Sequence, residues 1–420
     1  MIERYLNPEI NSIWDDQNKF DTWKLVQEKY VETLEELDVA ENGIAKKINQ
    51  SVVQKDEVYK QEEITNHDLA SFVDILQKKV GEGSNWIHYG LTSSDIVDTA
   101  NSVLIMQSLD YVKDLINDLL STLQEKAVQE KDTSIIGRTH GVYAEETFLG
   151  NIFGNWHLEV ARGLNRLENS KNNISFGKLS GPVGNHSVVT SEMEKLTLEK
   201  LNLKPEQFAN QIVSRDRYAE VVSSLGILAS TYERIATNIR SYQRSEISEM
   251  FESFKDGQKG SSAMPHKKNP IGSERITGLA RIMRSYVSTS LENMVLWNER
   301  DISNSSVERI MLPDAFHLIS FMSIELNSIL KHLVINYEQI NINLEDAKNK
   351  SVSQKYLSYL VNNGVDRDTA YRKIQEEIFN NLSAEELKKE LEKEFKLEFP
   401  DLKNQVNKNV DEKTFKDKFK

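Results

Sequence analysis

The sequence predicts an all-α protein organised around a bundle of long helices. Three observations predict it. Glycine and proline are scarce, 18 and 7 among 420 residues, so turns are few and each element must be long. Strict apolar–polar alternation, the mark of a half-buried strand, is almost absent. Apolar residues instead recur three and four apart over long stretches, the spacing that lines one face of a helix.

The clearest stripe is Tyr218, Val221, Leu225, Leu228, Tyr232, Ile235, Ile239 and Tyr242. Its alternating steps average about 3.5 residues, which suits coiled-coil-like packing in a bundle. About 30 such residues would span roughly 45 Å. A second stripe runs Ile105, Leu109, Val112, Ile116, Leu119. A third runs Ile276, Leu279, Met283, Tyr286, Ser290, Met294, Trp297, and a fourth Ile319, Met322, Leu326, Ile329. Each reads as core or subunit interface. Three segments follow: a charge-rich set of shorter helices over 1–92, the bundle over 93–345, and short helices over 346–420. The last ends in a lysine-rich tail containing Lys413, Lys416, Lys418 and Lys420.

Composition narrows the function classes. The net charge of −13 disfavours a general nucleic-acid partner, because phosphate contacts need clustered Lys and Arg. A small anionic substrate stays compatible, since a site can be locally positive on an acidic protein. The chain has no cysteine, which excludes disulfides, thiolate metal sites and cysteine nucleophiles. The start, Met1-Ile2-Glu3-Arg4-Tyr5, lacks a basic region followed by an apolar run, so no signal peptide is expected. No stretch approaches the roughly 18 apolar residues of a membrane span. A cytoplasmic protein with no membrane partner is the expectation.

Four polar segments interrupt the helical pattern where a bundle would place loops. In Trp86-Ile87-His88-Tyr89-Gly90-Leu91-Thr92-Ser93-Ser94-Asp95, Thr92 and Asp95 have capping-box spacing. The hydroxyls there suit either an ordinary N-cap or an anion site at a helix N-terminus. In Gly137-Arg138-Thr139-His140-Gly141 a histidine sits between glycines; it is either structural or a proton-transfer group. The segment Asp256-Gly257-Gln258-Lys259-Gly260-Ser261-Ser262-Ala263-Met264-Pro265-His266-Lys267-Lys268-Asn269-Pro270 joins flexible glycines to stiff prolines. That mixture suits a lid over about 253–270 that moves between two shapes, with a basic surface loop as the plainer reading. Finally, Asn298-Glu299-Arg300-Asp301-Ile302-Ser303-Asn304-Ser305-Ser306-Val307-Glu308-Arg309 sets two arginines around serines, either a phosphate grip or a salt-bridged surface. No G-x-x-x-x-G-K-[ST], strand-borne G-x-G-x-x-G or H-E-x-x-H occurs.

The run Gly260-Ser261-Ser262-Ala263-Met264-Pro265-His266-Lys267-Lys268-Asn269-Pro270 resembles the G-S-S-x-M-P-x-K-x-N-P signature of the fumarase/aspartase superfamily. The segments at 86–95 and 137–141, with Trp297-Asn298-Glu299-Arg300, are similar to the adenylosuccinate lyases rather than to fumarases or argininosuccinate lyases. Arg4-Tyr5, His67-Asp68, Gln211 before Arg215-Asp216, and Ser353-Gln354 fit the same pattern. The resemblance covers nearly the whole chain.

It implies a three-domain lyase whose long helices form a 20-helix core in a homotetramer, with each active site shared among three subunits. It implies fumarate release, without metal or organic cofactor, from adenylosuccinate (giving AMP) and from SAICAR (giving AICAR). By position, His140 resembles the general acid and Ser261 the mobile base. His67 and His88 match site histidines. Arg4, Tyr5, Arg300, Ser305 and Arg309 match nucleotide-holding positions, chiefly for the phosphate. Thr92, Ser93, Gln211, Lys267, Asn269 and Glu274 match positions around the succinyl group and the catalytic pair, and Asn66 and Asp68 flank His67 in the substrate-binding set. Three departures stand out. Asn66 replaces a usual arginine, Tyr143 replaces a histidine, and Gly181-Pro182-Val183-Gly184 replaces Gly-Ala-Val-Gly.

The chemistry accounts for these residue types. Removing the proton next to a carboxylate spreads charge onto it, so donors must converge there, and Lys267 and Asn269 are candidates. Serine becomes a base only where neighbouring charge lowers its pKa. The leaving nitrogen needs a proton that histidine can hold near neutrality. Two alternatives stay open: another fumarate-releasing lyase such as argininosuccinate lyase, and a catalytically dead helical scaffold.

Overall fold

The computed structural model describes residues 1–254, 257, 263–380, 382–399 and 412–419. Five helices of 22 to 37 residues dominate it. They are α1 (Ser93–Gln129), α2 (Leu149–Ile174), α3 (Arg215–Tyr242), α4 (Ile271–Glu292) and α5 (Ser303–Lys331). The all-α expectation holds, with only short strands between helices.

The apolar stripes explain why these helices form. Tyr218, Val221, Leu225, Leu228, Tyr232, Ile235 and Ile239 of α3 are all buried, as are Ile105, Leu109, Val112, Ile116 and Leu119 of α1. Each such side chain contributes roughly 1.5–3 kcal/mol when fully withdrawn from water. In the fourth stripe Ile319, Met322 and Leu326 are buried. The third stripe stops short of its expected end. Ser290 is buried, but α4 ends at Glu292, and Met294 and Trp297 are exposed, Trp297 by 80%. A 3.5-residue repeat continues in the letters of the sequence beyond the helix that gives it meaning.

Residues fall into two compact units, each discontinuous in sequence: 1–117 with 162–233 and 276–325, and 118–161 with 234–275 and 326–420. The first unit contains the charge-rich N-terminal helices. Asn7 caps Pro8–Trp14 by accepting from the Ile10 N–H at 3.0 Å, with proline at the first helical position. Asp15 caps Asp16–Glu36 through the Gln17 N–H at 2.8 Å. Phe20 and Trp23 of that helix pack against Phe72 of Asp68–Val80, with ring centroids 5.2 to 6.0 Å apart. This aromatic cluster locks the two helices together. In the second unit, helices Ser353–Asn362, Arg367–Phe379 and Ala384–Phe395 bury Tyr356, Leu360, Ile374, Leu387 and Leu391 as a separate core.

One polar segment expected to be a loop is a β-hairpin instead. Strands β1 (Ser134–Thr139) and β2 (Val142–Phe148) pair antiparallel, with Thr139 opposite Val142. The two-residue turn is His140-Gly141, with φ of 56° and 81°. Two consecutive positive φ values are what a type I′ turn needs, and glycine at its second position supplies one at little cost. The alternation was hidden because the adjacent Glu145 and Glu146 interrupt it in the middle of β2.

Within Gly181-Pro182-Val183-Gly184 nothing in the structure explains Pro182, but the closing glycine is required by its backbone. Gly184 has φ +71°, and a Cβ there would lie 2.0 Å from the Ala209 carbonyl oxygen. Gly184→Ala is therefore expected to destabilise the fold by about 1–3 kcal/mol, read as a drop in thermal unfolding midpoint with unchanged secondary structure at low temperature.

Candidate active site

In the first unit, the end of one helix and the start of the next place two candidates. Asn66 closes helix Lys55–Thr65 in the left-handed conformation, φ 52°, which asparagine tolerates. His67 then caps Asp68–Val80, its Nδ1 accepting from the Ala70 N–H at 3.4 Å. An accepting Nδ1 leaves the proton on Nε2, which faces Ser93 Oγ at 3.4 Å. His67 and Ser93 are thus brought together at the N-terminus of α1.

Asp68 accepts from Arg309 Nη2 at 2.6 Å and from the Leu69 N–H at 2.7 Å. Burial opposes its ionisation, but the Arg309 charge and these hydrogen bonds outweigh it and hold its pKa below the ordinary value. Arg309 Nε reaches Ser305 Oγ at 3.4 Å, one turn earlier on α5. Both line a cavity of about 190 Å³ with Asp68, Lys19, Trp14 and Asn101. Arg300 donates from Nη1 to Ser94 Oγ and to Gln211 Oε1, each at 3.3 Å. Arg300 and Gln211 are thus brought together beside the 92–95 turn. Arg4 is exposed, and Tyr5 sets its ring edge against Phe321, 5.0 Å between centroids. Phe321 lies roughly 18 Å along α5 from Arg309, so Tyr5 packs well away from the Ser305–Arg309 pair.

Buried charges whose pairing the motifs did not reveal hold this frame. Asp95 accepts from the Thr92 N–H at 2.8 Å, one half of a capping box, and from the Gly181 N–H at 3.2 Å. It also pairs with Lys178, and both side chains are fully buried. Arg215 is sandwiched between Asp98 and Glu308, with Nε 2.8 Å from Glu308 Oε1 and Nη2 3.0 Å from Asp98 Oδ1. All three are buried. Glu308 precedes Arg309, so this triad sets how α5 presents Ser305 and Arg309. The available signal was charge at positions three apart, Asp95 and Asp98, facing inward on a long apolar helix.

The second unit carries the remaining candidates. His140 stands exposed at the hairpin tip. Arg138 anchors the hairpin, with Nη1 and Nη2 each 2.8 Å from the buried Glu249 carboxylate, which also accepts from Asn343 Nδ2 at 2.8 Å. Tyr143 lies between cations, 5.2 Å from the Arg138 guanidinium and 5.4 Å from Lys350 Nζ. This packing gives the substitution at 143 a structural role in the hairpin. Lys267, Asn269 and Glu274 line an open groove of about 750 Å³ with Arg240, Gln243 and Lys268. Next to Pro270 of that lining, Glu252 accepts the Gly272 and Ser273 N–H groups at 3.1 and 2.6 Å, a carboxylate on the N-terminus of α4. Ser261 lies outside the described residues, as does much of the expected 253–270 lid.

Among the described residues, no three His, Asp or Glu side chains are placed to hold a metal ion, and no helix is long and apolar enough to cross a membrane.

The profile of a family described as Lyase matches residues 19–283. The chain is 41% identical to an adenylosuccinate lyase of Thermotoga maritima over 92% of its own length and 90% of the relative's. It is 40% identical to one of Bacillus subtilis, over 89% and 87%. This chain belongs to the adenylosuccinate lyase family. Solved structures support the fold. A fumarate lyase from Mesorhizobium superimposes with a TM-score of 0.84 at 19% identity, covering 100% of this chain and 95% of the other. A 3-carboxy-cis,cis-muconate lactonizing enzyme from Pseudomonas putida gives 0.82 at 21%, covering 93% and 91%. The family assignment disfavours the argininosuccinate and inert-scaffold readings left open above.

Proposed function

We infer that this chain is a carbon–nitrogen lyase that releases fumarate from adenylosuccinate, and from SAICAR, by β-elimination in purine nucleotide synthesis. The observation that carries the reading is 41% identity with an adenylosuccinate lyase over 92% of the chain. The geometry is in keeping with it: one frame holds Arg300, Gln211, His67, Ser93 and the Ser305–Arg309 pair.

The residues then divide the work. Arg300, Ser305 and Arg309 would hold the nucleotide phosphate through forked, charge-assisted hydrogen bonds; Arg4 and Tyr5, with Tyr5 packed away from the Ser305–Arg309 pair of its own chain, would join that set from another subunit of the proposed homotetramer. Thr92, Ser93 and Gln211 would hold the succinyl carboxylates. Ser261 would remove the carbon-bound proton, Lys267 and Asn269 would stabilise the charge that spreads onto the adjacent carboxylate, and His140 would protonate the departing nitrogen. The three-segment organisation and a homotetramer with sites shared among three subunits belong to the same proposal, as does a cytoplasmic location.

The test is an ultraviolet absorbance assay with adenylosuccinate and, separately, SAICAR. Time-dependent conversion with stoichiometric fumarate supports the reading. Full inertness toward both substrates, with turnover of another fumaryl compound, would replace it.

A further inference from the structure

We propose that Gln27, buried in the middle of helix Asp16–Glu36, is a positioning residue that fixes His88 as the Nε2–H tautomer and aims that proton into the site. The inference deepens the function proposed above and rests on it only for the effect on turnover.

Two contacts between the same two residues fix the tautomer. The His88 backbone N–H approaches Gln27 Oε1 at 3.0 Å, and the His88 ring Nδ1 approaches Gln27 Nε2 at 3.1 Å. The orientation of a glutamine amide and the tautomer of a histidine are separately ambiguous. Together, here, they are not. A backbone N–H can only donate, so the amide atom facing it must be the oxygen. The other amide atom is then NH2, which can only donate, so Nδ1 must accept. A neutral ring accepting at Nδ1 carries its proton on Nε2.

The surroundings make this clamp rigid. Gln27 is 0% exposed. Tyr30, one turn on, donates from its hydroxyl to the Tyr89 carbonyl at 2.9 Å. Two residues of one helix thus grip consecutive residues of the 88–89 turn. His88 itself has φ +64°, an unfavourable conformation for a side-chain-bearing residue that persists only where surrounding contacts impose it. Burial and the nearby His67 push its pKa down to about 4, so the ring is neutral at physiological pH. Among the described residues Nε2 has no hydrogen-bond partner, and His67, whose own Nε2 meets Ser93 Oγ at 3.4 Å, lies near enough to act on the His88 charge. The result is a neutral donor of defined direction, delivered by a residue far from the motifs.

The test is solid-state ¹⁵N NMR of histidine-labelled full-length protein, with His88→Asn used to assign the His88 signals, alongside kinetics on Gln27→Glu. Glutamate keeps the shape and still accepts the backbone N–H but offers no donor to Nδ1. We expect an Nε2–H ring in the unaltered protein. In Gln27→Glu the proton should move to Nδ1, or the ring become cationic, and kcat/KM for adenylosuccinate should fall by at least ~10-fold. An Nδ1–H ring in the unaltered protein overturns the proposal, and needs no variant to fold. So does an unchanged tautomer in Gln27→Glu, or a changed tautomer with unchanged turnover. If the unaltered protein shows the Nε2–H ring yet turns over neither substrate, the functional reading fails while the clamp stands.

Discussion

Ser261→Ala should lower kcat for adenylosuccinate by about 10²–10⁴-fold, the range that a positioned proton-transfer group typically contributes. KM should change far less, because the groups proposed to grip the nucleotide, Arg300, Ser305 and Arg309, are untouched. His140→Gln should have an effect of the same order from the other side of the reaction, since the leaving nitrogen would lack its proton. Neither change should disturb assembly. His140 is exposed at a hairpin tip, and the hairpin is held by Arg138 and Glu249 rather than by the imidazole. The shared-site proposal adds a sharper expectation. Mixing the two inactive variants under conditions that exchange subunits should restore part of the activity, because a site drawing each residue from a different protomer can be whole. An undiminished rate in Ser261→Ala would remove that serine from the base role, and mixtures that stay inactive after proven exchange would argue against shared sites.

Arg215→Met should destabilise the fold by about 3–5 kcal/mol, the cost of removing one partner from a buried ionic group. The methionine roughly replaces the stem but leaves Asp98 and Glu308 facing each other without a cation. Burial already raises the Glu308 pKa, against the pull of Arg215, so loss of the arginine raises it further. The sign of the pH dependence follows. A carboxyl with a raised folded pKa binds more protons folded than unfolded, so its contribution worsens as pH rises. The deficit of Arg215→Met should therefore be largest at neutral pH and shrink as pH falls and the orphaned Glu308 takes up a proton. Urea unfolding at two pH values checks both size and slope. A deficit below ~1 kcal/mol, or one that grows on acidification, would show that the triad is not the strut described here. Because Glu308 precedes Arg309, the variant should also bind substrate more weakly at temperatures where it remains folded.

Some of this was legible in the letters. The α1 and α3 stripes named their buried faces almost residue by residue, because an apolar repeat near 3.5 has few other solutions in water. The segments that interrupt them supplied Arg300, Ser305, Arg309, Lys267 and Asn269, and the family resemblance added Gln211 and Glu274; the structure sets Arg300 by Gln211, Ser305 by Arg309, and Lys267, Asn269 and Glu274 along one groove. The same method misread other places. Trp297 continued a stripe past the end of its helix. The hairpin was invisible because β2 carries glutamates where an alternating pattern would place apolar residues. Gln27 gave no sign, since an isolated glutamine in a charge-rich helix looks like one more solvated side chain.

What the sequence determined by itself was the kind of fold and the chemical inventory, since periodicity and motif spacing are local properties carried by neighbours along the chain. What only the tertiary structure decided was how that inventory is oriented. The tautomer of His88, the sharing of Arg215 between Asp98 and Glu308, and the anchoring of the His140 hairpin by Glu249 all join residues separated by 61 to 117 positions. Hydrogen bonds over such separations exist only after packing has brought the partners together, and no local pattern of side chains encodes which distant group will be waiting.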